Sequence, residues 1–127
     1  MVRVTGFDHL VIRTADVERS LAWYRDELGL EPVRVDEWRR GEVPFPSVRV
    51  DEHTIIDVLA AERSGENVDH VCLVVEPTDL AALAASGRFE VMGDGAVDGL
   101  FGAQGFATSL YVRDPDGNTV ELRHYGS

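Results

Sequence analysis

Four residues of this 127-residue chain have side chains and spacing suited to holding a divalent metal: His9, Asp57, His70 and Glu121. The two histidines stand 61 residues apart. Each follows an aspartate at the head of an apolar stretch, Phe7-Asp8-His9-Leu10-Val11-Ile12 in one case and Val68-Asp69-His70-Val71-Cys72-Leu73 in the other. The two carboxylates stand 64 residues apart, each in the last strand pattern of its half. Two imidazoles and two carboxylates suit a borderline ion, one divalent Mn, Fe, Co, Ni or Zn. Three or four protein ligands leave positions open for water or substrate, as a catalytic site requires. Asp57 is the provisional fourth ligand. It is one methylene shorter than glutamate and reaches a metal either directly or through water.

The elements that would position these residues repeat along the chain, and a repeat fixes the architecture before any single element does. After the first Asp-His strand comes an amphipathic helix, expected from Asp16 to Leu28. Asp16 serves as N-cap, Gly29 as stop, and Val17, Leu21, Tyr24 and Leu28 recur at helical spacing. After the second comes a helix expected from Thr78, as cap, to Ala85, closing near Gly87. Three strands are expected after each helix. They are Glu31–Glu37, Ser47–Val50 and Thr54–Ala60 in the first half, then Phe89–Met92, Thr108–Arg113 and Thr119–His124 in the second. Asp51-Glu52-His53 and Asp114-Pro115-Asp116-Gly117-Asn118 supply the matching turns. The pattern predicts an α+β fold of two tandem βαβββ modules, about 5–62 and 66–125 within a single 1–127 domain. The modules would form a curved mixed sheet around a metal cleft, with the helices on its outer face.

Side chains alternate across a strand, so parity tests the site. His9 points away from Leu10 and Ile12. His70 points away from Val71, Leu73 and Val75. Asp57 opposes Ile56 and Val58, and Glu121 opposes Val120 and Leu122. In all four strands the apolar set is free to pack under a helix, and the metal-competent residue falls on the other side.

The totals exclude several function classes. The net charge is −11 and the pI about 4.6, so no basic face exists for nucleic acid or an anionic membrane. No apolar stretch approaches the roughly 20 residues of a membrane span, and no secretory signal pattern opens the sequence. Cys72 is the only cysteine, which excludes an internal disulfide and a four-cysteine zinc site and fits a reducing, cytoplasmic setting. All twelve basic residues are arginine, so Schiff-base lysine chemistry is excluded.

With those residues in view, the chain resembles the vicinal oxygen chelate superfamily. That group includes glyoxalase I, extradiol dioxygenases, fosfomycin-resistance enzymes, methylmalonyl-CoA epimerases and bleomycin-binding proteins. The resemblance lies in the two Asp-His strands, in Ser20-Leu21-Ala22-Trp23-Tyr24-Arg25-Asp26-Glu27-Leu28-Gly29-Leu30, and in Tyr111-Val112-Arg113-Asp114-Pro115-Asp116-Gly117-Asn118-Thr119-Val120-Glu121-Leu122. It implies metal ligands at His9, His70 and Glu121, a fourth at Asp57, paired βαβββ modules and a homodimer. It also implies a small oxygenated organic substrate, chelated through vicinal oxygens. Glyoxalase-like or epimerase-like proton transfer is the leading expectation, with Glu121 and Asp57 as catalytic carboxylates. The alternatives are an extradiol-type dioxygenase using two histidines and one carboxylate, and a non-catalytic binding protein of the drug-resistance kind. Glyoxalase I carries glutamate where this chain has Asp57. Fosfomycin enzymes carry threonine where it has Val11.

Parity also directs Arg49, Ser109, Tyr111, Arg113 and Arg123 towards the cleft. Of these, Arg49, Tyr111 and Arg123 are expected to contact substrate, with Arg123 also able to pair with Glu121 or Asp57. Trp38 is expected at the mouth, in a loop-like stretch with Arg39 and Arg40. Cys72 shares the His70 face and reads as a buried thiol. The segment from Gly93 to Gly105 holds five glycines and reads as a mobile loop, with Phe101 and Phe106 able to close over a ligand.

Overall fold

A computed structural model describes residues 2–113 and 117–126. In chain order the elements are β1 (Val4–Thr14), α1 (Val17–Leu28), β2 (Glu31–Val33), α2 (Val35–Arg39), β3 (Ser47–Arg49), β4 (Ile55–Ala60), β5 (Val68–Val75), α3 (Leu80–Ala85), β6 (Glu90–Val91), β7 (Val97–Gly102), β8 (Gly105–Arg113) and β9 (Thr119–Arg123). The expected mixed sheet and duplicated order are present. Each half departs from βαβββ by one addition, α2 in the first and β7 in the second. The turn expected at Asp114–Asn118 lies in part outside the described residues.

The chain forms two compact units. One, the N-unit, is His9–Asp69; the other, the C-unit, joins Met1–Asp8 to His70–Ser127. The chain therefore passes between units twice, once inside β1 and once inside β5, and each time at an Asp-His step.

In the N-unit the strand order is β2-β3-β4-β1. β1 runs parallel to β4, and β4–β3 and β3–β2 are antiparallel. The register puts His9 beside Ile55 and Val11 beside Asp57, with Ser47 across from Asp57. These residues share one face of the sheet. The opposite face carries Val48 and Val58, on which Val17 and Leu21 of α1 pack. Asp16 caps α1 by accepting from the backbone N–H of Arg19 at 3.0 Å, and Gly29 ends it in the left-handed region at φ 72°.

The stretch Glu31–Glu37 is not one strand. Arg34 adopts φ 64° and stops β2 after three residues, and a short helix follows. The i, i+3 pair Val35 and Trp38 packs against the α1 cluster, and that burial favours helix over strand.

In the C-unit the order is β5-β9-β8-β6, with β7 also on β8. β5 and β9 are parallel, with Cys72 beside Glu121 and Val74 beside Arg123. β8 and β9 are antiparallel, with Tyr111 across from Glu121 and Ser109 across from Arg123. On the opposite face Leu80 and Leu83 of α3 pack on Val75, Leu110, Val112 and Leu122. Asp79, not Thr78, caps α3 by accepting from Ala82 N–H, while the Thr78 hydroxyl donates to the Glu76 carbonyl at 2.7 Å.

The segment expected as a loop between Gly93 and Gly105 is mostly a hairpin arm. β7 pairs with β8 from Val97↔Ser109 to Gly102↔Gly105, with a register shift between Val97 and Leu100. Pairing with a long neighbour makes this strand despite its glycines, a case of context overriding propensity.

Candidate functional site

The last strand of each unit carries a buried carboxylate, and in each unit the carboxylate meets a histidine and a serine. In the N-unit, Asp57 Oδ1 accepts a hydrogen bond from the Ser47 hydroxyl at 2.5 Å. Its other oxygen lies 3.6 Å from His9 Nε2, an ion-pair distance between two side chains almost wholly shielded from solvent. In the C-unit, Glu121 Oε1 and His70 Nε2 lie 3.0 Å apart. Oε2 accepts from the Ser109 hydroxyl at 2.7 Å. The His9–Asp57–Ser47 set is thus repeated as His70–Glu121–Ser109. Ser47 was not singled out from the sequence, although it shares Arg49's parity two residues away.

The two carboxylates differ in what else they meet. Glu121 Oε2 also accepts from Arg123, at 3.0 Å from Nη2 and 3.2 Å from Nε. Arg123 is 0% exposed. Its remaining donors go to the Tyr125 hydroxyl at 3.0 Å and to the carbonyls of Leu100, Phe101 and Gly105. Burial works against its charge. The carboxylate of Glu121 and the hydrogen bond to Tyr125 outweigh that and hold the guanidinium above its ordinary pKa. The expectation that Arg123 contacts substrate gives way to its other reading, as the buried partner of Glu121. Two residues after Asp57 stands Leu59, so the N-unit has no such arginine on its last strand. There the nearby cation is Arg34, whose guanidinium carbon sits 6.0 Å from the centre of the Phe45 ring. Burial lowers the Arg34 pKa below its ordinary value, against the opposing charges of Asp57 and Glu37.

Tyr111 stands over the same pair in the C-unit. Its ring meets His70 edge-on, with centroids 5.4 Å apart. Burial, and then the negative charge of Glu121, push its phenol well above the ordinary value.

Other expected site residues fall elsewhere. Trp38 packs with the α1 cluster, on the sheet face opposite Asp57, because the helical turn of α2 rotates it onto Val48 and Val58. It is a core residue rather than one at a cleft mouth. Arg39 forms a two-pronged pair with Glu18 of α1, both bonds 2.8 Å. Arg49 lies on the Asp57 face by register, and its guanidinium donates to the turn carbonyls of Asp51 and Glu52. Arg113 donates to the Gly117 carbonyl and pairs with Glu90. The Phe101 ring meets Phe106 edge-on at 5.6 Å, and its carbonyl accepts from Arg123. Cys72 is fully buried beside Glu121, as expected of a structural thiol.

A first-row divalent metal takes imidazole nitrogen and carboxylate oxygen, and its ligands are held by outer hydrogen bonds. His70 and Glu121 fit that description within the C-unit. One carboxylate oxygen is fixed by Ser109 and Arg123, and the other is turned to the imidazole.

This duplicated α+β fold, with a His–carboxylate set in each half, is that of the glyoxalases and their relatives. The chain belongs to the Glyoxalase/Bleomycin resistance protein/Dioxygenase superfamily, whose model matches residues 6–122. Among characterised sequences it is similar to the virulence protein STM3117 of Salmonella typhimurium, 25% identical over 96% of this chain and 85% of that protein. It is also similar to the glyoxalase domain-containing protein RDO1 of Mycosarcoma maydis, 29% identical over 96% of this chain and 69% of that protein. Among solved structures, the methylmalonyl-CoA epimerase of Mycobacterium tuberculosis matches with a TM-score of 0.66 at 19% identity, over 98% of this chain and 90% of that one. The Mn(II)-bound glyoxalase of Novosphingobium aromaticivorans matches with a TM-score of 0.73 at 24% identity, over 98% of this chain and 40% of that one. At these identities the structural likeness speaks for the fold. No helix among the described residues is long and apolar enough to cross a membrane.

Proposed function

We propose that this chain is a divalent-metal-dependent enzyme that moves a proton on a small oxygenated organic molecule, in the manner of glyoxalases and epimerases. His9, His70 and Glu121 are its metal ligands, and Asp57 is its base. The observation that carries this reading is the asymmetry between the two repeated sets. Glu121 has a buried arginine on one oxygen and a histidine against the other. A carboxylate so compensated is a poor proton acceptor and a good fixed ligand. Asp57 meets the Ser47 hydroxyl and the His9 imidazole, and the charge that acts on it is that of Arg34, the residue before α2. Two carboxylates in related frames but different surroundings divide into ligand and base.

The chemistry a bound ion supplies is polarisation of two vicinal substrate oxygens and stabilisation of the negative charge left when a proton departs. Asp57 Oδ2 takes that proton, while Ser47 holds Oδ1 and so fixes the orientation of the carboxylate. Tyr111 presents an aromatic wall to His70. The shared fold of a Mn(II)-bound glyoxalase and a methylmalonyl-CoA epimerase supports this reading. A small-molecule substrate and a homodimeric assembly are part of the same proposal.

Two variants test the division of roles. Glu121→Ala should lose the metal measured in purified protein. Asp57→Asn should keep it and lose exchange of a substrate C–H proton with deuterated solvent, across a panel of 2-oxo and thioester compounds. Metal content unchanged in Glu121→Ala, or exchange unchanged in Asp57→Asn, would refute the assignment.

A further inference from the structure

The carboxylate of Glu121 is the near end of a longer chain of hydrogen bonds within the C-unit. Arg123 donates to Glu121 Oε2 through Nη2 and Nε, and to the Tyr125 hydroxyl through Nη1 at 3.0 Å. The Tyr125 hydroxyl donates onward to Asp8 Oδ2. The other Asp8 oxygen accepts from the backbone N–H of Ala103 at 2.8 Å. A guanidinium has no acceptor, so the Tyr125 oxygen must accept from Arg123, and its one proton must go to Asp8. The direction of every bond in the chain is therefore set.

Three features mark the chain as built rather than incidental. Asp8 is 0% exposed, and a buried carboxylate persists only when its lone pairs are met. Gly102 passes so close to Arg123 and Tyr125 that a Cβ there would collide with the guanidinium and the phenol oxygen. The backbone of the β7–β8 turn contributes twice, through Ala103 N–H to Asp8 and through Gln104 N–H to the Tyr125 hydroxyl at 3.3 Å.

We infer that Tyr125 and Asp8 are positioning residues for Glu121, holding Arg123 so that one carboxylate oxygen is fixed and the other stays directed at the metal. This rests on Glu121 being a metal ligand, as proposed above. In this inference both residues stand outside the His9, His70 and Glu121 ligand set. Each acts through Arg123, which without the Tyr125 oxygen keeps its bond to Glu121 but loses the anchor that sets its angle. Outer partners of metal ligands typically change affinity about 10–100-fold when removed, which sets the size of the expected effect.

The test is titration of the metal-free protein with Co(II) alone, whose visible absorption reports the ligands around it. Tyr125→Phe is expected to bind Co(II) about 10–100-fold more weakly, with a shifted visible spectrum. Asp8→Asn, which keeps the shape at the far end, should weaken binding in the same direction and supplies a second reading if Tyr125→Phe folds poorly. The double variant should lose less than the two single losses multiplied, because both act through Arg123. Asp16→Ala, which weakens the α1 cap in the other unit, should leave affinity and spectrum unchanged and so separates positioning from general loss of stability. Tyr125→Phe or Asp8→Asn binding Co(II) like the parent, with the parent's spectrum, overturns this inference and leaves the ligand assignment standing. A parent protein that takes up no Co(II) overturns both.

Discussion

Arg123 follows Glu121 by two residues on one face of β9 and lays its guanidinium on a single oxygen of that carboxylate, 3.0 Å from Nη2 and 3.2 Å from Nε. Both side chains are essentially sealed from solvent, at 0% and 1%. Removing one member of a buried pair leaves the other charged and uncompensated. Arg123→Leu is expected to destabilise the protein by about 3–5 kcal/mol, read from urea unfolding midpoints. Combining it with Glu121→Gln should recover part of the loss. A double variant no more stable than Arg123→Leu would show that the arginine stabilises the fold through its carbonyl contacts instead.

Tyr125 gives the clearest pH dependence. Burial, and then its bond to Asp8, push its phenol from 10.0 up to about 12. Because the folded value is the higher one, the stabilisation is complete below about pH 10 and is lost as pH rises through about 12. Phenolate absorbance, taken as the difference between the parent and Tyr125→Phe, should appear near that upper value. In Asp8→Asn it should appear lower. An alkaline transition for Tyr125 at the ordinary tyrosine value would contradict the hydrogen-bond chain.

Gly102 should tolerate no side chain. Its φ is unexceptional, so the constraint is space: an added Cβ runs into Arg123 and Tyr125, and neither can swing away without breaking its own bonds. Gly102→Ala is expected to cost about 1–3 kcal/mol, as overpacked sites do. Gly41→Ala supplies a contrast, because there the strain comes from φ 76° with open space around it. Thermal melts of both, with Arg123→Leu/Gly102→Ala beside them, would tell a collision with Arg123 from a backbone effect. Gly102→Ala should cost less once Arg123 is shortened, and the remainder is its collision with the Tyr125 hydroxyl.

The cap of α1 is a simpler case. Asp16 meets one of the helix's first unpaired N–H groups, that of Arg19. Asp16→Ala should lower stability by about 1 kcal/mol, and Asp16→Ser should restore most of it. Equal losses in both would mean that the Asp16 charge, rather than its capping bond, matters at this end.

The sheet face on which each candidate residue lies is legible in the sequence. Parity put His9, Asp57, His70 and Glu121 on the sheet faces away from the helices, and the register places them there. The helix ends at Asp16 and Gly29 were equally legible, since short-range chemistry decides them. What escaped depends on contacts far apart in sequence. β7 exists because β8 is long enough to pair with it, and its glycines gave no hint of that. Trp38 looked like a loop residue because its helix is one turn long and is fixed by packing on α1. Asp8, held by residues 95 and 117 positions away, was visible only as half of an Asp-His repeat.

That repeat bears on how the chain divides between its two units. The N-unit ends at Asp69 and the C-unit resumes at His70, while Asp8 belongs to the C-unit and His9 to the N-unit. Each half thus lends the opening of its first strand to the other, at equivalent points. Severing the connection near Ser64 should then yield two fragments that are incomplete alone and associate when coexpressed, measurable by copurification through a tag on either one. Fragments that fold separately and stay apart would rule out the exchange.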